Sequence, residues 1–107
     1  MKIAIYQVRM DIDERHDISY MSYKEATKVI SEDALKSNLN KYYEKKYEFE
    51  KDYNNLSSNE ILEDLFFIFN MARPEDFKGH SLSTSDIVVL DGKSTYFCDS
   101  FGWQEVA

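Results

Sequence analysis

Cysteine, proline and tryptophan occur once each in these 107 residues, histidine twice and glycine three times. Each scarcity closes a class of function. A lone Cys98 cannot form an internal disulfide, which suits a reducing compartment, so a cytoplasmic location is expected. One cysteine with His16 and His80 cannot supply the ligand spacing of a zinc site. Asp11-x-Asp13 followed by Asp17 is acidic like a calcium loop, but it lacks the mid-loop glycine and the closing glutamate and reads as a solvated loop. Three isolated glycines build neither a dinucleotide nor a phosphate loop. No metal or cofactor is expected. No run approaches the roughly 20 apolar residues of a membrane span. The opening Met1-Lys2-Ile3-Ala4-Ile5 is soon interrupted by Gln7 and Arg9, unlike a signal peptide.

Positive charge is short as well. Thirteen Lys and Arg stand against 20 Asp and Glu, a net charge of −7. Residues 61–107 carry 3 basic and 8 acidic side chains, so most of the excess lies in the second half. Such a surface repels phosphate, which argues against direct nucleic-acid binding and is compatible with a basic protein partner.

What the chain has is aromatic bulk, eight Tyr and seven Phe, enough for the core of one domain spanning 1–107. Residues 2–9 form a near-continuous apolar run of strand length, expected to be covered on both faces. Ser22-Tyr23-Lys24-Glu25 fits a capping box and predicts a short helix to about Ile30, with Tyr23, Ala26, Val29 and Ile30 on one side. Residues 31–35 either continue it or start another turn. Across 42–53, Tyr43, Tyr47, Phe49 and Tyr53 fall on odd positions, and Glu44, Lys46, Glu48, Glu50 and Asp52 on even ones. Period two predicts a strand with one aromatic face inward and one charged face in water.

Ser57 and Glu60 make a second capping box, with Leu56 and Ile61 placed as a hydrophobic staple. The helix should run to Asn70 or Ala72, because Arg73 precedes Pro74. Its apolar stripe is Ile61, Leu62, Leu65, Phe66, Ile68, Phe69 and Ala72. Phe67 falls on the polar side, where the 73–80 loop is expected to cover it. Further on, Asp91-Gly92 between two β-rich runs is a strong hairpin signal. A two-residue turn there pairs Leu90 with Lys93, Val88 with Thr95 and Asp86 with Phe97. Phe101-Gly102-Trp103 is expected to close the open end of the core. The sum is an α+β fold: about four strands in an antiparallel or mixed sheet, with two to three helices packed on it.

Candidate chemistry concentrates on the two sides of the Asp91-Gly92 hairpin. His80, Ser81, Ser83, Ser85, Asp86, Cys98 and Asp99 cluster in sequence, but a nucleophile needs a base within reach and an orienting group behind it. Adjacent His80 and Ser81 meet only through an unusual bend, and no Gly-x-Ser-x-Gly elbow is present. The serines read as turn caps and Asp86 as the anchor of the strand's first residue. A separate feature is the row of Glu44, Glu48, Glu50 and Asp52, whose members repeat at about 6.6 Å per two residues on one face of a strand. It could imitate nucleic-acid phosphates, though Lys46 interrupts it and Lys45 and Lys51 lie close by.

The run Phe69-Asn70-x-x-Arg73-Pro74-x-Asp76-Phe77-x-Gly79-His80-Ser81-Leu82-Ser83-x-Ser85-Asp86-Ile87-Val88-Val89-Leu90, with the Tyr96-to-Gly102 ending, resembles the YodL-like domain. The opening Ile5-Tyr6-Gln7 and the Tyr43–Tyr47 segment resemble it more loosely. The resemblance implies a habitat, the conjugative transposons and plasmids of Firmicutes, and no catalytic role. Its shared residues mark His80, Ser81, Ser83, Ser85, Asp86, Asp99 and Phe101, joined by Trp103, as the candidate binding surface. The expectation is a non-catalytic protein-interaction module of a mobile element, here standing alone as a small accessory protein. The second reading is an acidic inhibitor of a host nucleic-acid-binding defence enzyme, acting through Glu44, Glu48, Glu50 and Asp52.

Overall fold

The apolar amino-terminal run becomes strand β1, Lys2–Val8, and a computed structural model describes residues 1–106 of the chain around it. Strand β2 (Tyr43–Glu50) flanks β1 on one side and β3 (Ile87–Leu90) on the other, followed by β4 (Ser94–Cys98) and β5 (Trp103–Glu105). The order is β2-β1-β3-β4-β5 and every pairing is antiparallel. Placing β1 inside the sheet explains its nearly unbroken apolar sequence, because neither face meets water. The α+β class stands, with five strands instead of about four. The added one is β5, three residues whose pattern is too short to register as a strand.

Helices cover both faces. On one lies α4, Ser58–Met71, opened by the predicted capping box of Ser57 and Glu60. It buries Ile61, Leu62, Leu65 and Phe69 against Ile3, Ile5, Val88 and Leu90. Each such side chain contributes about 1.5–3 kcal/mol of apolar burial. The other face is covered by α1 (Tyr23–Val29), α2 (Ala34–Ser37) and α3 (Leu39–Tyr42), of which the last two are single turns. Ala26 of α1, Leu35 of α2 and Ile30, the residue that ends α1, are buried against Val8, Ile87 and Phe97. A further 3-10 turn, Glu14–His16, lies in the predicted acidic loop. Residues 31–42 thus form separate turns after α1, and the helix count exceeds the two to three expected.

Four local expectations are corrected. The strand at 43–50 exists, but its aromatics do not share a face. The pairing steps from Ile5↔Tyr47 to Tyr6↔Lys45, leaving Lys46 as a bulge. Tyr47 and Phe49 therefore pack with α4, while Tyr43 joins the opposite core. In the β3–β4 hairpin, Asp91 (φ 54°) and Gly92 (φ 65°) make the expected turn, and the Lys93 amide donates to Leu90 O at 3.0 Å. Yet Lys93 is spare, so Leu90 pairs with Ser94 and Ile87 with Phe97, one residue away from the simple register. That slip puts Phe97 beside Ile87 and Tyr96 beside Val88, each with its own core. On the helices, Phe67 is 60% exposed and uncovered by the 73–80 loop, and Phe66 and Val29 are also exposed. Lastly, Phe101 is 98% exposed and closes nothing. Asp99 N donates to Gly102 O at 2.9 Å, and Gly102 takes φ 83°, turning β4 into β5 with Phe101 at the tip.

Candidate functional site

The Gly79–Asp86 turn is organised by Gln7, the one polar residue of β1 that is fully buried. A buried amide needs partners for its carbonyl and its two N–H groups. Gln7 Oε1 accepts from the His80 amide at 3.1 Å, and Nε2 donates to His80 O at 2.9 Å and to Asp86 Oδ2 at 3.0 Å. Both hydrogens of Nε2 are then in use. His80 Nδ1 is left to donate to Ser81 O at 2.7 Å, although it also lies 3.3 Å from Nε2. Gly79 fits because it has no side chain: a Cβ there would stand 2.3 Å from Gln7 Oε1 and 2.7 Å from Phe77 Cζ.

Asp86 closes the turn. Its Oδ2 also accepts from the Ser83 amide at 2.8 Å, and its own amide donates to Ser83 O at 3.0 Å. Ser85, buried with φ 84°, donates its amide to Cys98 O and accepts from the Tyr20 amide on its hydroxyl. The Tyr43 hydroxyl donates to Ser85 O at 2.6 Å. Burial pushes the Asp86 carboxyl up to about 7, against the opposing pull of the Ser83 amide and the Gln7 amide. Burial first, and then the Asp86 charge, also raises the Tyr43 hydroxyl well above its usual range. The Cys98 thiol is pushed up to about 12 by burial, so it is held protonated and unreactive.

Of the sequence-predicted residues, Ser83, Ser85 and Asp86 are thus spent on the turn. Asp99 is used as well: its Oδ1 accepts from the amides of Tyr23 and Ser100, tying the start of α1 to the end of β4. His80 is half exposed, with Nε2 4.0 Å from Asp86 Oδ1. Among the described residues no serine hydroxyl is bonded to either ring nitrogen, and the Ser83 hydroxyl donates instead to Ser81 O at 2.7 Å. A nucleophile–base relay is not assembled here. Sequence reasoning missed Gln7, Tyr20 and Tyr43. The readable signal was Gln7 itself, since a polar side chain inside a buried strand must be answered by partners elsewhere in the fold.

Aromatic side chains reach solvent next to this turn. A groove of about 420 Å³ lies between the carboxy-terminal half of α4 and the β4–β5 hairpin. Phe66, Tyr20 and Trp103 line it, with Glu63 and Asp99 supplying its charge. Phe101 projects from the rim, between the lining residues Ser100 and Gly102. The second candidate surface is fragmented. Glu44 stands opposite Gln7, whereas Glu48 and Glu50 stand opposite Ala4 and Lys2, so the bulge puts Glu44 on the other face of the sheet. Lys45 and Lys2 pair with Glu48 at 3.0 and 3.7 Å, and Lys46 with Glu44 at 3.4 Å. Asp52 lies beyond the strand's end.

A five-stranded antiparallel sheet with helices on both faces, and a polar turn wired into its second strand in space, defines an α+β domain. The chain belongs to the YodL-like domain family, whose model matches residues 2–107. No curated protein and no solved structure matches it. No helix among the described residues is long and apolar enough to cross a membrane.

Proposed function

We propose that the chain is a non-catalytic protein-interaction module, carried by a mobile genetic element and working in the cytoplasm. One observation carries this reading: Phe101 is 98% exposed at a hairpin tip, on the rim of a groove lined by Phe66 and Trp103. An aromatic ring held in water by a tight turn is poorly used unless a partner covers it, and such rings beside a concavity are the usual anchors of interfaces. Glu63 and Asp99 in the lining, within a half-chain of net charge −5, match a basic partner segment that places an apolar side chain between the rings. The rival reading, an acidic inhibitor of a defence nuclease, draws less from the geometry. Its carboxylates divide between two faces, and two of the four, Glu44 and Glu48, are paired with lysines.

The test is retention of a basic protein from a Firmicute lysate by the tagged chain, by Phe101→Ala, and by the double variant Glu48→Lys/Glu50→Lys. Far-UV circular dichroism verifies each fold. Retention that survives high salt, persists in the double variant and drops at least tenfold in Phe101→Ala supports the anchor. The opposite pattern, with steep salt sensitivity, would replace this proposal with the inhibitor.

A further inference from the structure

A different concavity, on the α1–α3 face of the sheet, departs from the charge of the rest of the molecule. It has a volume of about 490 Å³ and is walled by residues 36–41 and by the β3–β4 turn. Three lysines line it, Lys36, Lys41 and Lys93, and no aspartate or glutamate does. In a chain with 20 acidic and 13 basic side chains, a wall of one sign that is the minority sign is a segregated arrangement. None of the three lysines takes part in a salt bridge among the described residues, whereas Lys2, Lys45, Lys46 and Lys51 all do. Lys36 and Lys93 have no charged partner among the described residues, and the Lys41 Nζ lies 5.4 Å from the centroid of the Tyr42 ring.

The lining adds neutral donors. Asn38 ends α2 and precedes α3; its backbone N–H donates to Ala34 O, but its side-chain amide makes no capping bond to either helix. The floor is formed by Tyr6, Val89 and Thr95, one from each of three adjacent strands, and Thr95 is buried. The spare residue Lys93, which shifts the hairpin register, is what brings the third lysine to the rim. The volume falls within the roughly 300–1,000 Å³ of small-molecule sites.

We propose that this concavity binds a small phosphorylated molecule, its phosphate held by Lys36, Lys41 and Lys93 and its less polar part lying on Tyr6 and Val89. Three ammonium groups around one dianion supply charge-assisted hydrogen bonds, and Lys is well suited to phosphate as a mobile point charge. The site lies apart from the aromatic groove and stands or falls separately from it.

The experiment is a titration of the 15N-labelled full chain with inorganic phosphate, pyrophosphate and adenosine monophosphate, ionic strength being held constant with sodium chloride. Citrate serves as the carboxylate comparator. The expected result is saturable shifts of the amides of residues 36–41 and 92–95, stronger for pyrophosphate or the monophosphate ester than for citrate. Each of Lys36→Gln and Lys93→Gln should weaken binding on the order of tenfold. Shifts spread equally over Lys24, Lys28 and Lys45, a non-saturating response, equal or tighter binding of citrate, or affinity unchanged in both variants would overturn the proposal. Lys93→Arg, which keeps the charge and should retain binding, separates loss of charge from loss of the turn.

Discussion

The Gly79–Asp86 turn and the tip of the β4–β5 hairpin are both short connections, but they dispose of their side chains in opposite ways. At the turn, polar groups point inward and find partners: Gln7, Ser83, Ser85 and Asp86 account for one another's hydrogen bonds and for those of the Tyr20 amide and the Tyr43 hydroxyl. At the tip, an apolar ring points outward and finds none within the chain. The polar cluster, which looks like chemistry in the sequence, is occupied in holding β1, β3 and β4 together. The ring, which looks like core, stands in water. A histidine, serines and an aspartate close in sequence therefore say less about activity than whether their donors and acceptors are already matched.

The comparison breaks first at Gln7. Replacing it with Leu leaves Asp86 Oδ2 with the Ser83 amide alone and strips both the carbonyl and the amide of His80 of their partner. A buried group left unmatched costs about 1–3 kcal/mol, and more than one is affected, so the loss should be about 3 kcal/mol or more. Thermal unfolding should then begin on the order of 15 °C lower. A change of only a few degrees would mean that the turn is held by something other than this network. Gly79→Ala comes next. Its Cβ meets an oxygen that is locked by the His80 amide, and the overpacking should cost about 1–3 kcal/mol. In a double-mutant cycle, Gly79→Ala should cost much less once Gln7 has been shortened to Ala, because the obstructing oxygen is gone. Additivity would assign the cost to Phe77 instead.

Asp86 gives a smaller and differently shaped effect. Its carboxyl titrates near 7 in the folded chain against 3.8 as an ordinary aspartate, so between those values the folded state holds a proton that the unfolded state has released. The raised value adds stability at acid pH, and that contribution is lost as pH climbs towards 7. The slope should be up to about 1.4 kcal/mol per pH unit, and Asp86→Asn should flatten it. A His80→Gln background makes the measurement cleaner by removing the ring 4.0 Å from Oδ1. A profile that rises from pH 5 to about 7, and is unchanged in Asp86→Asn, would show that the two amide donors outweigh burial.

How far these features could be read in advance follows from their range in sequence. The capping box at Ser57 and Glu60, the apolar run of β1 and the Asp91-Gly92 turn depend on neighbours a few residues apart, and all are present. The Lys46 bulge is set by pairing with β1, some forty positions away, and no local pattern announces it. The spare Lys93 is similar: the turn is local, but the register is chosen by two cores that need Phe97 on one side and Tyr96 on the other. The candidate residues near Asp86 were visible as a cluster. Their partner Gln7 lies 79 positions before Asp86, and without it the cluster has no stated direction.

The smallest expected effect is the most informative about function. Phe101 touches no core, and the turn beneath it is made by Gly102 and the Asp99 amide, so Phe101→Ala should leave stability within about 0.5 kcal/mol. Trp103 differs: it is partly buried against the α4 side of the sheet and pairs with Cys98, so Trp103→Ala should destabilise measurably. If both rings anchor a partner, both variants lose binding while only one loses stability. Should Phe101→Ala instead lower the melting temperature by as much as Trp103→Ala, the ring must be packed in solution. The tip would then be core that happens to face outward, and the contrast with the Gly79–Asp86 turn would fail at its outer end.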